Sequence, residues 1–409
     1  MEFGIVSEQI RLPVWPRKRC AMNPVWLLML GISFVGSNSL VLSPIATDVA
    51  ASLPRGSATD VMFASAVYGA ATAISALTLA PKADQIGLRR ALFLALIGLC
   101  LAMVVCASAI ALWVLIVGQA LAGLAAGLAL PAIYGLAAEI APKGRESETL
   151  GKVLTGWTLS LVAGVSLSAM LTDFLHWRIV FVILGATGLI LLIALRQAEI
   201  SETRPSGKAT SPLEAIRIAG LPPILFAVAC YMAAFYGLYA YLGTHLTQVL
   251  GIATGIAGLA ALSYGVGFGV VAPLDRFIDR HGATKAAPVV FVTLLCIYVG
   301  LSLLAPFGMA LIVFCFMWGA ANHLGLNILV GQLTALSPGQ RATILGLYSA
   351  VTYAAMFVGT TVFKVIFESF GFSAIALLSA ACIAPATLGA VRRQYCLAKA
   401  DVRQNAENG

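Results

Sequence analysis

The sequence predicts an all-α membrane protein whose twelve transmembrane helices form two pseudo-symmetric six-helix bundles. Three observations carry this expectation. Hydrophobic residues make up 60% of the 409 positions and charged residues only 10%, against roughly 45–50% and about 25% in soluble domains. The apolar residues fall in runs of about 20, the length at which a helix crosses ~30 Å of hydrocarbon, without the period-2 alternation that a membrane barrel needs. Lastly, a short charged stretch occurs twice. Asp84 and Gly87 are followed by Arg89 after one apolar run, and Asp279 and Gly282 are followed by Lys285 after another. The two copies are offset by close to half the chain, which marks an internal duplication.

The elements follow in order. Residues 1–23 hold Pro13, Pro16 and the cluster Arg17-Lys18-Arg19 and read as a cytoplasmic tail. The apolar run that follows is too long for a signal-peptide core and lacks a small-residue cleavage pattern, so it is a retained first span. The predicted spans are 24–46, 60–81, 91–110, 112–138, 152–172 and 179–195 in a first bundle (24–195), then 222–243, 254–274, 286–305, 308–335, 343–363 and 372–391 in a second (222–391). Between them residues 196–221, with Glu199, Glu202, Arg204, Pro205, Lys208 and Pro212, read as a cytoplasmic linker. Residues 392–409 form a cytoplasmic C-terminal tail. With the N-terminus inside, all but Arg55, Arg178 and Lys364 of the 25 Lys and Arg fall on the cytoplasmic side, which supports the span count and the orientation.

The basic excess of +8 is thus explained by topology, and no nucleic-acid partner is expected. Six of the eight cysteines lie inside spans and Cys20 and Cys396 lie in the tails, so no disulfide framework is implied. The duplication reaches beyond the opening stretch. Arg145, Gly151, Gly164, Asp173 and Trp177 are matched by Arg341, Gly346, Gly359, Glu368 and Phe372 at the same spacings from the first glycine onward. Two parallel six-helix repeats are one of the established transporter plans, with the binding site near the midplane between them.

These residues carry a family resemblance. The loop after span two resembles the Gly-x-x-x-Asp-Arg-x-Gly-Arg-Arg pattern of the major facilitator superfamily through Asp84, Gly87 and Arg89. The loop after span eight keeps Asp279, Arg280 and Gly282, with Asp275 where the pattern has glycine. Leu42-Ser43-Pro44-Ile45-Ala46, Ala120-Leu121-Ala122-Gly123 and His176-Trp177-Arg178 are similar to the twelve-span drug and sugar efflux branch, which is drug:proton antiporter-like. Gln119 stands where that branch has arginine, and its Gly-Pro pair in span five is replaced by Gly164, Val165, Ser166 and Ser168.

Asp84, Gly87, Arg89, Asp279, Arg280 and Gly282 are candidate conformational latches, because an Asp at a helix end, a tight glycine turn and nearby arginines can form a charge cluster that holds one conformation and breaks in the other. The alternative is that they anchor the headgroup region. Gly156, Ser160, Gly164 and Ser168 recur every four residues on span five, and Gly265 and Gly269 lie on span eight. Small residues permit close helix packing in lipid. The resemblance places spans five and eight face to face across the bundles, while packing within one bundle stands as the other reading.

Polar groups deep in a membrane are costly and mark function by default. Asn38, Gln119, Tyr134, Trp157, Tyr239, Asn322, His323 and Asn327 are the substrate-binding candidates, against the plainer reading of helix-to-helix hydrogen bonds or interfacial rings. No Asp or Glu falls in the middle of a predicted span, which leaves His323 as the mid-membrane group that titrates near neutrality and the proton-coupling candidate. His176, His245, His281 and His323 are scattered, so no metal, cofactor or enzymatic centre is expected, and no phosphate-binding loop is present for ATP drive. The expected function is secondary transport of a small organic molecule across the inner membrane, outward and proton-coupled. Uptake or facilitated diffusion of a sugar, nucleoside or organic acid, and a ligand sensor on the same fold, remain as alternatives. The expected partners are a small-molecule substrate, protons and membrane lipid, with the chain acting as a monomer.

Overall fold

A computed structural model describes residues 22–54, 56–142, 145–198, 216–275, 283–337 and 341–408. They are almost wholly helical, with no strand among them. Span one runs Pro24–Leu40 and Leu42–Ser52, bent by 50° between the two pieces. The bend follows from Pro44, which lacks an N–H and whose ring crowds the carbonyl four residues back, at Leu40. Asn23 caps its start by accepting a hydrogen bond from the Val25 amide at 2.9 Å. Span two, Ala58–Thr78, opens on a capping box formed by Ser57 and Asp60, and a short helix, Ala80–Ile86, follows it.

Span three is Leu88–Ala107, span four Leu112–Glu139 and span six Trp177–Gln197. Span five is α-helical over Glu146–Leu159 and Ser166–Phe174 but widens into a π-turn at Ser160–Val165, where Ser166 bonds back to the Leu161 carbonyl. Span seven, Leu221–Thr244, ends in a second π-turn at His245–Val249. Span eight comprises Thr254–Ala257, Leu259–Val270 and a last 3₁₀ turn, Ala272–Leu274, and spans nine and ten are Ala283–Leu303 and Gly308–Leu336.

Spans eleven and twelve lie in one continuous stretch, Arg341–Asn408, interrupted at Gly371. Its φ of 77° is left-handed backbone that glycine adopts without a Cβ clash. The 51-residue apolar segment Ile344–Gln394 is therefore two crossings. With the bent first span counted once, the described residues carry twelve. The twelfth helix continues to Asn408, past the predicted start of the C-terminal tail. Most of the linker lies outside the described residues, as do Asp279, Arg280 and Gly282 and the side chain of Asp84.

Spans one to six pack on one another, as do spans seven to twelve. Small residues decide how closely. A Cβ on Gly123 of span four would sit 2.9 Å from Ala71 Cβ of span two, and one on Gly156 would sit 3.0 Å from Ile32 Cβ. The small-residue stripe of span five thus faces span one of its own bundle. Gly156 meets Ile32 and Ser33, Ser160 lies against Gly36, and Gly164 lies against Ser37, while Ser168 bonds back to the Gly164 carbonyl at 2.5 Å. The expected span five to span eight contact also forms, through a neighbouring stripe: Gly265 faces Leu161 and Val162, and Gly269 faces Thr158. The reason is rotational. Thr158, Leu161 and Val162 lie three to four residues apart on one side of the helix, and residues 156, 160 and 164 on another.

Candidate functional site

The bundles touch along spans five and eight and along spans two and eleven, and polar bridges between them gather at the end that carries Leu53, Pro54, Gly56 and Ser57, here called the distal end, opposite the linker end. Ser43 Oγ donates to the Tyr239 carbonyl at 2.5 Å, and the Thr47 and Thr247 hydroxyls lie 2.7 Å apart. Thr254 Oγ1 donates to Asp48 at 2.7 Å, and Thr59 Oγ1 to Glu368 at 2.6 Å. Lys364 Nζ stands 2.6 Å from Asp60 and 3.8 Å from Glu368. Gly243 of span seven lies so near span one that an added Cβ would stand 2.7 Å from Pro44 Cα. At the linker end, a Cβ added to Gly151 or Gly346 would meet nothing within 4 Å.

Burial follows the same direction. Tyr68, Tyr236, Tyr239 and Tyr353 are buried, whereas Tyr134, Trp157, His323, Asn327 and Tyr348, which lie nearer the linker end along their helices, are half-buried. Between the bundles a cavity lined by Ser39, Ser43, Ser65, Tyr236, Tyr239 and Thr360 holds about 10 Å³, room for roughly one water. Among the described residues the polar bridges between the bundles lie on the distal side of these rings.

The second bundle lines the site with rings because spans seven, eight and ten each turn an aromatic face to the others. Phe235 stacks on Tyr264, with ring centroids 5.4 Å apart, and Trp318 stands edge-on to Tyr264 at 4.9 Å. Tyr239 lies 5.5 Å from Phe235. Phe268 continues the row to His323, 4.7 Å away and nearly perpendicular. Across the bundle interface Tyr68 meets Tyr353 edge-on at 6.0 Å.

Several polar atoms among these rings are buried without a partner, including Tyr239 Oη, Asn322 Oδ1 and His323 Nδ1. Leaving a buried polar atom unpaired costs about 1–3 kcal/mol, which makes these atoms candidates for a ligand's hydrogen bonds. Asn322 is otherwise engaged: its Nδ2 donates to the Tyr264 hydroxyl at 2.5 Å, and its carbonyl accepts from Tyr231 at 2.5 Å.

Asn38 and Gln119 come together. Each amide nitrogen donates to the other's oxygen, at 3.2 and 3.3 Å, and Gln119 also reaches Cys106 Sγ at 3.7 Å. Both are buried. Tyr134 and Trp157 also pair, hydroxyl to indole. Asn327 is half-buried one turn from His323.

His323 has a partner that the sequence reading did not supply. Its Nε2 lies 3.0 Å from one oxygen of Asp275 and 3.2 Å from the other. In the sequence Asp275 stands out only by its place in the loop pattern, where the family has glycine, and that departure is the signal that points to it. Phe235, Trp318 and the Asp60–Lys364 pair were likewise not picked out, since rings and terminal charges are common in any span.

In the paired loops, Gly87 takes a φ of 92° and turns the chain into span three. Arg89 Nη2 donates to the Leu195 carbonyl at 2.9 Å and the Arg196 carbonyl at 3.3 Å, placing a cation on the exposed carbonyls at the end of span six. Among the described residues no cluster of His, Cys, Asp and Glu could hold a metal ion.

Two bundles that close at one end around a ring-lined, membrane-embedded site define a transporter fold. The family model of the Major Facilitator Superfamily matches residues 25–360, and the chain belongs to that superfamily. It is 29% identical over 367 residues to an uncharacterized MFS-type transporter, YwfA, of Bacillus subtilis (strain 168), covering 87% of this chain and 88% of that protein. Its fold is similar to that of a D-xylose-proton symporter, with a TM-score of 0.71 at 15% identity, covering 88% of this chain and 96% of the other. It is also similar to the human organic anion transporter MFSD10 (TETRAN), with a TM-score of 0.66 at 14% identity, covering 89% of this chain and 98% of that one.

Proposed function

We propose that the protein is a secondary transporter of the inner membrane, with both termini cytoplasmic, that exports a small organic molecule by alternating access in exchange for protons. The observation that carries this reading is the one-sided placement of the polar bridges between the bundles. Short polar bridges gather at the distal end, while the ring-lined site grades from buried to half-buried toward the linker end. Taking the linker end as cytoplasmic, as the distribution of Lys and Arg requires, this is the inward-facing state. Rocking the bundles about the site would break the distal bridges and close the linker end. Asp84, Gly87, Arg89, Asp279, Arg280 and Gly282 would latch that end.

The substrate contacts in this reading are Tyr134, Trp157, Tyr239, Asn322, His323 and Asn327. Asn38 and Gln119 satisfy one another and hold span one to span four. Aromatic walls with a few convergent polar atoms suit a moderately apolar, uncharged molecule with hydrogen-bonding groups. Among the described residues the site offers no charge besides the His323–Asp275 pair to balance a strong ion. His323 carries the coupling proton, and the protein acts as a monomer without a cofactor or enzymatic step.

The test is a deletion strain challenged with a compound panel, followed by uptake into everted membrane vesicles with an acid interior. Protection and gradient-driven uptake of the same compound are expected. Uptake only in the opposite direction would overturn export, and binding without flux would make the protein a sensor.

A further inference from the structure

We infer that Asp275 and His323 form the proton-binding unit, and that its protonation decides whether the linker end can close. This rests on the proton-coupled reading above and extends it to a residue and a mechanism. The contact joins the middle of span ten to the end of span eight, where the loop carrying Asp279, Arg280 and Gly282 begins. A glycine at position 275 would leave the imidazole without its carboxylate partner.

The geometry assigns the proton's place. Both carboxylate oxygens lie within 3.2 Å of Nε2, and a carboxylate only accepts, so Nε2 bears the hydrogen and donates it. The neutral ring then carries its lone pair on Nδ1, which is buried and has no partner. An incoming proton lands on Nδ1. Before uptake the pair has a net charge of −1, and afterwards an imidazolium faces a carboxylate with a net charge of zero. Burying a lone carboxylate costs far more than burying a neutral, hydrogen-bonded ion pair. In the carrier without substrate, the unprotonated pair therefore holds the site open to water at the linker end, and the protonated pair permits that end to close.

The groups facing His323 are few. Span eight supplies Asp275 and the apolar Phe268. Through Asn322 the phenols of Tyr264 and Tyr231 stand behind it. The charged Arg276, Asp279 and Arg280 follow Asp275 in the chain, outside the described residues.

The experiment measures the conformation directly. Spin labels on bioorthogonal side chains at residues 151 and 346, where an added Cβ meets nothing within 4 Å, report the linker-end separation in proteoliposomes. Between about pH 5 and 8, where imidazole changes charge, the wild-type distance distribution is expected to shift toward the shorter state as pH falls. Asp275→Asn and His323→Gln should each abolish the shift, and Asp275→Glu should keep it, which separates lost coupling from lost fold. A wild-type distribution that ignores pH, or an unchanged shift in Asp275→Asn, overturns the inference. Failure of the wild-type vesicles to move any compound would overturn the transport reading and leave these distances to judge the pair alone.

Discussion

Gly243→Ala is the substitution whose effect separates a two-state machine from a rigid bundle. An alanine Cβ there would stand 2.7 Å from both the Ser43 carbonyl carbon and Pro44 Cα, and closer still to the Ser43 oxygen. Ordinary van der Waals contact begins at 3.4 Å, and all three atoms are backbone, so no side-chain rotation relieves the overlap. Spans one and seven must part by on the order of 1 Å, and overpacking of this kind costs roughly 1–3 kcal/mol. Because the contact lies between bundles, the cost falls on the distally closed state alone. A bias of about 1–3 kcal/mol shifts a two-state population by roughly 5- to 150-fold. The assay is the distance between bioorthogonal spin labels at Ala51 and Val249, both exposed near the distal end. The distal distance should lengthen and the linker-end distance between residues 151 and 346 should shorten together. Gly123→Ala is the control, because its Cβ would collide with span two inside one bundle. It should lower thermal stability without moving either distance. Equal behaviour of the two variants, with lower stability and no reciprocal distance change, would refute the reasoning.

Further substitutions test other parts of the account. Lys364→Met removes the bridge to Asp60. Because both side chains are partly exposed, at 26% and 41%, screening holds its worth to about 0–1 kcal/mol, so the distal labels should separate by at most a several-fold population shift that weakens in high salt. Gln119→Leu leaves Asn38 buried without its partner and should cost roughly 1–3 kcal/mol of stability by thermal unfolding, with the Asn38→Leu/Gln119→Leu double variant recovering part of the loss. Tyr239→Phe removes a hydroxyl that has no partner in the protein. Its stability should stay the same or rise, since an unpaired buried hydroxyl is a cost, while affinity for the panel substrate falls by roughly 2- to 12-fold, the worth of one neutral hydrogen bond of about 0.5–1.5 kcal/mol.

Much of the fold was legible because the lipid solvent leaves a plain record. Every span had to be a run of about 20 apolar residues, so span positions emerged from composition, and the repeated Asp-Gly stretches exposed the duplication. Boundaries differed where turn chemistry intervened, as at span seven, which the His245–Val249 π-turn prolongs. The stripe at 156, 160 and 164 marks a face of small residues, but periodicity fixes a face and not the helix it meets. The site was legible as a set of residue types. Its pairings were not, because Asn38 and Gln119 are 81 residues apart, His323 and Asp275 are 48 apart, and Thr59 and Glu368 are 309 apart. Nothing local in a sequence records such a contact. The exception is Asp275, whose departure from the glycine of the loop pattern was visible before its partner was.

Entrance counterflow tests the central claim most directly. Proteoliposomes are loaded with the unlabelled panel substrate, diluted into trace labelled substrate, and held with no pH or ion gradient. An alternating-access transporter exposes its one site to each side in turn, so labelled substrate should accumulate transiently above its outside concentration and then decay. Labelled substrate that only equilibrates, without overshoot, would contradict alternating access.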